Sequence, residues 1–583
     1  MDKERVAAIL NEIGVLLELK GENPFKTRAY ANAARALEGL SEPLDRLVEE
    51  NRLGEIKGIG ESIRRKIEEL VRSGRLPYYE ELKASVPEGL LELLQIPGMG
   101  PRKVRAVYEK LGVAGLDELE RACRDGRVAQ LPGFGARTAE KIIEGIRFRR
   151  ERASRFHLHQ ALAVAESIYE ALRNRPETIR CSVAGSLRRR RETIGDLDFI
   201  VASEKPKAAL DFFVRLPGVR SVLAHGETKA SVRLEEGIQA DLRVVRDEEY
   251  PFALAYFTGS KEHNIALRQR AIQRGMRLNE YGLFRGEGEG RQGERVACRD
   301  EEAIYRALDL AYIPPELREN QGEIEAAEKG RLPELLRPEQ LRGSLHNHSD
   351  WSDGRQTLEQ IARMIDELGF EYWGVTDHSR SSFQANGLDA KRLRRQLEAV
   401  RKLNEERAAR GRKGRLLTGI EVDILKDRLD FPDEILAELE VVVASLHVAG
   451  GDEAENTRRL IMAAENPFVH MLGHPTGRLL LTREPYKINV QAVIDACAET
   501  GTWIELNAHP YRLDLDWRWW LYARKKGVRC AVNCDAHRAE EAAFLALGAG
   551  VARKGWLTAQ DVVNTLPLKR LRAELRRKRA GKG

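Results

Sequence analysis

Two groups of side chains in this 583-residue chain have types and spacings suited to metal-dependent phosphate chemistry. The first is Asp196 and Asp198 in "AGSLRRRRETIGDLDFIV", joined by Asp241 in "QADLRVV". Residues two apart on a strand share a face, and Asp241 sits in a second strand-like run able to lie alongside. Three converging carboxylates suit two Mg2+ ions, which clamp the attacking and leaving oxygens of a phosphoryl transfer. Upstream, Gly185-Ser186 marks a turn whose backbone N–H groups can hold a phosphate.

The second group is a constellation of histidines: eight of the twelve fall between His346 and His537. His346 and His348 follow a short strand, His378 ends "YWGVTDH", and Glu421 ends "LLTGIE". His447 ends "VVVASLH", His474 ends "VHMLGH", and Asp535 and His537 close "RCAVNCDAH". In a parallel β/α barrel all the C-terminal strand ends open on one face, so these side chains would converge there. Imidazole with carboxylate suits Zn2+ or Mn2+ rather than Mg2+ alone. His470 and His509 lie close by in sequence and are read as core or supporting residues.

The elements around these groups divide the chain. Three early segments, "LGEIKGIGESIRRKI", "LQIPGMGPRKVRAVY" and "AQLPGFGARTAEKII", each join an apolar residue, a Gly-x-Gly turn and an amphipathic helix start. This is the helix-hairpin-helix pattern, with Gly58 and Gly60, Gly98 and Gly100, and Gly133 and Gly135 as the paired glycines. Such turns bring backbone close to a phosphate at a helix N-terminus, holding nucleic acid without reading bases. Strand-like runs begin near Ser182, and a turn-rich piece follows from Pro251. The segment from Tyr312 to Gly343 has four prolines and many charges and reads as an interdomain linker. Apolar runs then alternate with helical stretches to about Gln560, and the basic tail "LKRLRAELRRKRAGKG" is expected to be solvated. Arginine runs at Arg147 to Phe156 and Arg188 to Arg191 favour a phosphate-rich partner, within a net charge of +6. The N-terminus lacks the apolar core of an export signal, no stretch reaches the length of a membrane span, and no CxxC spacing occurs. These features imply a reducing, cytoplasmic setting with no membrane partner.

Gly185-Ser186, the Asp-x-Asp strand and Asp241 resemble the nucleotidyltransferase palm of family X DNA polymerases, the group that includes polymerase beta. "YFTGSKEHNIALRQRAIQRGMRLNEYGL", from Tyr256, is similar to that family's thumb segment. The resemblance implies that Asp196, Asp198 and Asp241 bind the catalytic metals, with Asp241 as base for the primer 3′-hydroxyl. It assigns nucleotide binding to Gly185, Ser186, Arg189, Gly195, Tyr256, Phe257, Gly259, Asn264 and Arg268. Ser186 and Arg189 would hold the triphosphate, and Tyr256 and Phe257 would lie against the sugar. Asn264 and Arg268 would face the base pair. Lys229 matches a lysine that contacts DNA backbone. Lys261 stands where the vertebrate enzyme has an acidic residue. "NPFKTRAYANAARAL" resembles the family's small lyase domain, with Lys66 at the Schiff-base nucleophile and Ser62 replacing a neighbouring lysine. A phosphate contact by Lys66 is the other reading.

The second half resembles the PHP (polymerase and histidinol phosphatase) domain, a distorted seven-stranded barrel with a trinuclear metal centre. By that resemblance His346, His348, Glu421 and Asp535 hold one metal. Glu421 bridges to a second, held with His447 and His474, and Asp353, His378 and His537 hold the third. Such a cluster polarises a phosphoryl oxygen and cleaves phosphoesters at neutral pH.

The expected architecture is therefore multidomain. A lyase-like helical domain with the first hairpin spans 1–90, and a fingers-like hairpin region spans 91–155. An α/β nucleotidyltransferase palm covers 156–246 and a thumb 247–318, followed by a linker at 319–342. A PHP distorted (β/α)7 barrel covers 343–565, and a basic tail 566–583. The expected function is gap-filling DNA repair synthesis using dNTPs, with a Mn2+-favouring 3′→5′ exonuclease. Abasic-site endonuclease or 3′-phosphatase activity would accompany it. DNA is the expected partner, the chain a monomer, and the location the cytoplasm, at the nucleoid. Two alternatives stand beside this reading: a polymerase fused to a small-molecule phosphatase, and a DNA-end scaffold with vestigial sites.

Overall fold

A computed structural model describes residues 3–38, 44–56, 58–94, 96, 98–152, 155–286 and 291–579. It contains two compact units, Met1–Ala153 and Ser154–Gly583. Among the described residues no helix is long and apolar enough to cross a membrane. Within the arginine run from Arg147 to Phe156, the side chains of 148–154 lie outside those described.

The first unit is all helix. Its helices bury apolar residues at i, i+4 and i+7, as Ile63, Ile67 and Leu70 do on Glu61–Ser73. One continuous core runs from Val6 to Ile146, so the regions expected as separate at 1–90 and 91–155 share a single interior. The three hairpins repeat one geometry. Ile59 N–H donates to Ile56 O at 3.2 Å, Met99 to Ile96 at 3.0 Å, and Phe134 to Leu131 at 3.0 Å. The first glycine of each turn has positive φ: 102° at Gly58, 81° at Gly98 and 80° at Gly133. Glycine occupies that conformation without a Cβ clash. Gly60 and Gly100 cap the helices Glu61–Ser73 and Pro101–Leu111 with no side chain over the first N–H groups.

In the second unit a five-stranded sheet is built from β1 (Arg180–Val183), β2 (Asp196–Ala202), β3 (Val219–His225), β4 (Lys229–Leu234) and β5 (Gln239–Val245), in the order β1-β2-β5-β4-β3. The central pair β2 and β5 is parallel, with Asp198 opposite Asp241. A second, seven-stranded sheet lies further along the chain: β6 (Gly343–Ser344), β7 (Tyr372–Val375), β8 (Arg415–Asp423), β9 (Val441–Ser445), β10 (Met471–Gly473), β11 (Trp503–Asn507) and β12 (Cys530–Asn533). They pair in sequence order and all in parallel. A parallel bridge between Asn347 and Ala536 joins the two ends into the expected barrel.

Two expectations are corrected here. The segment 319–342, expected as an interdomain linker, is packed into the second unit. It contains the helix Glu323–Glu328, Glu323 is fully buried against His263 Nδ1 at 2.7 Å, and Ile324 and Leu335 share one core with thumb residues Phe252, Leu267 and Leu317. Its prolines set turns, while the apolar residues between its charges supply the packing. The basic tail is likewise packed. Leu568–Arg579 forms a helix whose Leu571 and Leu575 join Leu417, Val443, Met471 and Trp503 in one cluster. His470 Nε2 lies 3.2 Å from Leu575 O. Residues 580–583 lie outside the described ones. Leu571 has no exposure, so Leu571→Ala should cost roughly 2–4 kcal/mol of stability. Chemical denaturation checks this; a loss under about 0.5 kcal/mol, the size of an ordinary surface change, contradicts the packed tail.

Candidate active sites

The strand period places the palm carboxylates. Asp196 and Asp198 share one face of β2, and the β2–β5 register brings Asp241 beside Asp198. A cleft of ≈370 Å³ opens over them, lined by Gly185, Ser186, Arg189, Tyr256, Phe257, Gly259, Asn264 and Arg268 along with Asp196 and Asp198. Of the expected nucleotide-binding residues only Gly195 is not in this lining; it precedes Asp196, near Arg155 Nη1 at 3.8 Å from where its Cβ would be. Gly185 has φ 62°, and a Cβ there would collide with the Asp198 carboxylate, so glycine is required. Ser260 and Lys261 also reach the cleft. Burial and the neighbouring Asp196 and Asp241 carboxylates push Asp198 up to about 7. Burial also works to raise Asp241, but hydrogen bonds from Lys229, Gln239 and Ser231 hold it below the usual carboxylate range. Lys229 reaches the carboxylates from the neighbouring strand. Its ammonium is 2.8 Å from Asp241 Oδ2. Ser231 is directly opposite Asp241, and Lys229, two residues earlier, is the diagonal neighbour within reach of a long side chain.

In the barrel, one parity of each strand faces inward. Leu417, Gly419 and Glu421 follow each other on β8; Val441, Val443, Ser445 and then His447 on β9; Ala531, Asn533 and then Asp535 on β12. The apolar members form the floor and the polar ones gather at the C-terminal ends. His474 is out of phase with Met471 and Gly473 and sits at φ 24°, while Asp535 sits at φ 52°. Such positive φ in non-glycine residues is a strain that surroundings must hold. Glu421 lies at the centre. His378 Nδ1 is 2.8 Å away, His474 Nε2 3.0 Å, His447 Nε2 3.2 Å and His346 Nε2 3.3 Å. His348 Nε2 is 3.0 Å from Asp535 Oδ1, and Asp353 is 3.4 Å from His537 Nε2 and 3.6 Å from His378 Nε2.

All of the expected ligands fall into overlapping groups that could each hold an ion: His348, Asp353, His378 and His537; His346, His348 and Glu421; His346, His474 and Asp535; His378, Glu421 and His447. The groups share members: His346, His348, His378 and Glu421 each fall in two of them, and His474 also lies 3.0 Å from Glu421 Oε1. Several buried donor atoms, including His346 Nε2, His348 Nδ1, His378 Nδ1 and Glu421 Oε2, have no hydrogen-bond partner. Ligand atoms converging on one another without hydrogen bonds fit divalent cations well.

Family models match the chain as a helix-hairpin-helix domain at 1–76, a SAM-like helix-hairpin-helix tandem at 90–147, a DNA polymerase beta thumb at 253–319 and a PHP domain at 344–509. Over 582 residues it is 39% identical to the DNA polymerase/3′-5′ exonuclease PolX of Bacillus subtilis (strain 168), covering 99% of this chain and 100% of that protein. The chain belongs to the family X DNA polymerases that carry a PHP domain. Rattus norvegicus DNA polymerase lambda is 25% identical over 340 residues, 53% of this chain and 56% of that one. A probable phosphatase of Thermoanaerobacter sp. (strain X514) is 32% identical over 162 residues, 26% of this chain and 64% of its own.

The sequence reading of this family X chain missed the carboxylates behind the ligands. Glu505, fully buried, lies 2.8 Å from His346 Nδ1 and accepts from the His474 N–H at 2.6 Å and Asn533 Nδ2 at 3.0 Å. Asp423 accepts from His447 Nδ1, and Asn507 donates to Asp535 Oδ2 at 3.0 Å. The available signal was an acid at an inward position of an apolar strand, "WIELN". His470 is structural: Val442 N–H donates to its Nδ1 at 3.0 Å. His509 packs edge-on against Phe544. In the helical unit, Lys66 Nζ lies 3.1 Å from Ser62 Oγ and 4.7 Å from the Tyr78 ring centre. Burial, and then the charge of Lys26, lower its pKa. That setting fits both a phosphate contact and an amine nucleophile.

Two predictions follow from the barrel electrostatics. Burial opposes the charged form of His447, yet Glu421 and Asp423 outweigh it and push it up to about 9; Asp353 and Asp535 do the same for His537, also to about 9. Both imidazoles carry protons below that pH and must lose them to bind a cation. Cation affinity should therefore fall as pH drops from about 9, with proton release seen as buffer-dependent heat in titration calorimetry; pH-independent binding between 7 and 9 contradicts this. Glu505→Gln should weaken cation binding by roughly 10–100-fold, since it removes the charge that orients His346; metal analysis after graded chelation checks it.

Proposed function

We propose that the chain fills short gaps in DNA from dNTPs at the palm, and removes 3′-terminal nucleotides at the PHP barrel. The observation that carries this is the pairing of two complete ligand sets in one body: three carboxylates on one palm face, and a ring of histidines around Glu421. The PolX relative bears a name with both activities, and the three hairpin turns are suited to DNA backbone. At the palm, Asp196, Asp198 and Asp241 would hold two Mg2+ ions, which supply charge stabilisation for in-line phosphoryl transfer. Asp241, kept ionised by its hydrogen bonds, would accept the proton of a primer 3′-hydroxyl. Ser186 and Arg189 would bind the triphosphate, Tyr256 and Phe257 the sugar, and Asn264 and Arg268 the nascent pair. The barrel ligands would hold Mn2+ or Zn2+, up to three ions. Abasic-site cleavage and 3′-phosphatase activity use the same phosphoester chemistry.

Separate substitutions test the division. Asp196→Ala should lower gap filling by roughly a hundredfold or more while leaving nucleolytic degradation of a recessed end intact, and His346→Ala should do the reverse. Loss of both activities by either change overturns the reading. A small-molecule phosphatase in the barrel is favoured by the match to the probable phosphatase. Faster turnover of a small phosphomonoester than of a recessed DNA end would establish it.

A further inference from the structure

The loop between the palm turn and its carboxylate strand, Arg189 to Glu192, is gripped residue by residue from the barrel. Lys554, at the end of the barrel helix Phe544–Lys554, donates to Arg189 O at 3.0 Å. Arg190 packs over Gly550 of the same helix, its Cδ 3.6 Å from where a Cβ would stand. Arg191 lies 5.8 Å from the ring centre of Trp517. Glu192, itself buried, is 3.5 Å from Arg478 Nη2 and 3.8 Å from Arg518 Nη1. Arg190 holds φ 55°, a left-handed conformation that persists in a long side chain only where neighbours enforce it.

At the centre of the grip one carboxylate faces three cations. Glu319 Oε1 is 3.0 Å from Arg189 Nε and 2.5 Å from Lys554 Nζ, and Glu319 Oε2 is 3.4 Å from Arg191 Nη1. The Lys554 side chain has 0% exposure and Glu319 7%, and the Trp517 ring centre lies 4.4 Å from the ammonium. A buried carboxylate needs a partner, and removing one cation throws it onto the others. Arg189 lines the palm cleft and also donates to Thr258 O, so a triphosphate must compete with Glu319 for its guanidinium.

We infer that the PHP body is the platform that positions the polymerase's triphosphate loop, and that Lys554 is a positioning residue: by neutralising Glu319 it leaves Arg189 available to a nucleoside triphosphate. This rests on the reading that Arg189 contacts the triphosphate. The polymerase half of the chain would then depend on the barrel for nucleotide affinity, independently of the barrel's own chemistry.

Steady-state gap filling by the full chain tests this, with dNTP varied and nuclease activity measured on the same preparations. Lys554→Met should raise KM for dNTP about tenfold, with kcat and nuclease rate each within about twofold of the parent. Lys554→Arg should recover most of the loss. Glu319→Gln combined with Lys554→Met removes the buried carboxylate together with its lysine, so that nothing anionic competes for Arg189, and should return KM to within about threefold of the parent. An unchanged KM in Lys554→Met, or polymerase and nuclease falling together, overturns the proposal. So does a tenfold KM rise persisting in the double variant, which decides the matter even where Lys554→Met does not fold. Arg189→Ala is the control. If it leaves KM unchanged, the triphosphate role of Arg189 fails; if it raises KM while Lys554→Met does not, the platform alone fails.

Discussion

A β-strand sends alternate side chains to opposite faces, and both candidate ligand clusters rest on that constraint. In the palm it puts Asp196 and Asp198 on one face, and the parallel register of β2 with β5 adds Asp241 to them. In the barrel it stacks an apolar floor and a polar rim within the same strands. Leu417 lies below Glu421 on β8, and Ala531 below Asp535 at the end of β12. The period does not supply His474, which follows Gly473 out of phase, and there the backbone takes a positive φ. The floor is completed by the C-terminal helix through Leu571 and Leu575, so the metal rim depends on a segment far from it in sequence.

Closely held carboxylates repel, and the two sites answer that in different ways. The palm protects Asp241 with Lys229 and leaves Asp198 with a pKa of about 7. The barrel surrounds Glu421 and Asp535 with imidazoles, whose protons stand in for the positive charge of cations. Glu505 and Asp423 then fix the rings from behind, the arrangement by which outer carboxylates orient histidine ligands.

Much of this was legible in the chain because strand-end ligands and an Asp-x-Asp pair are local signals. Asp196, Asp198 and the histidines announce themselves by type and spacing, as do the glycines of the three hairpin turns. What could not be read depends on partners distant in sequence. Glu505 looks like any acid in an apolar run until His346, 159 positions earlier, is seen against it. The segment 319–342 reads as a linker by its prolines and charges, yet Glu323 finds His263 and Glu319 finds Lys554. The basic tail reads as solvated because its two buried leucines are outnumbered by arginine and lysine. The pairing of Lys229 with Asp241 likewise depends on the β4–β5 register.

The palm and barrel also share a continuous core that includes Leu158, Phe199 and Leu242 on one side and Leu336, Leu388 and Leu557 on the other. The two carboxylate-bearing sites are thus built within one compact unit, on a shared core. The central claim is that this body carries two separate cation centres. Anomalous diffraction from crystals of the full chain soaked in Mn2+ tests it most directly. The account predicts one set of peaks around Glu421 and another between Asp198 and Asp241; peaks confined to one location, with the other ligand set turned away, would contradict it.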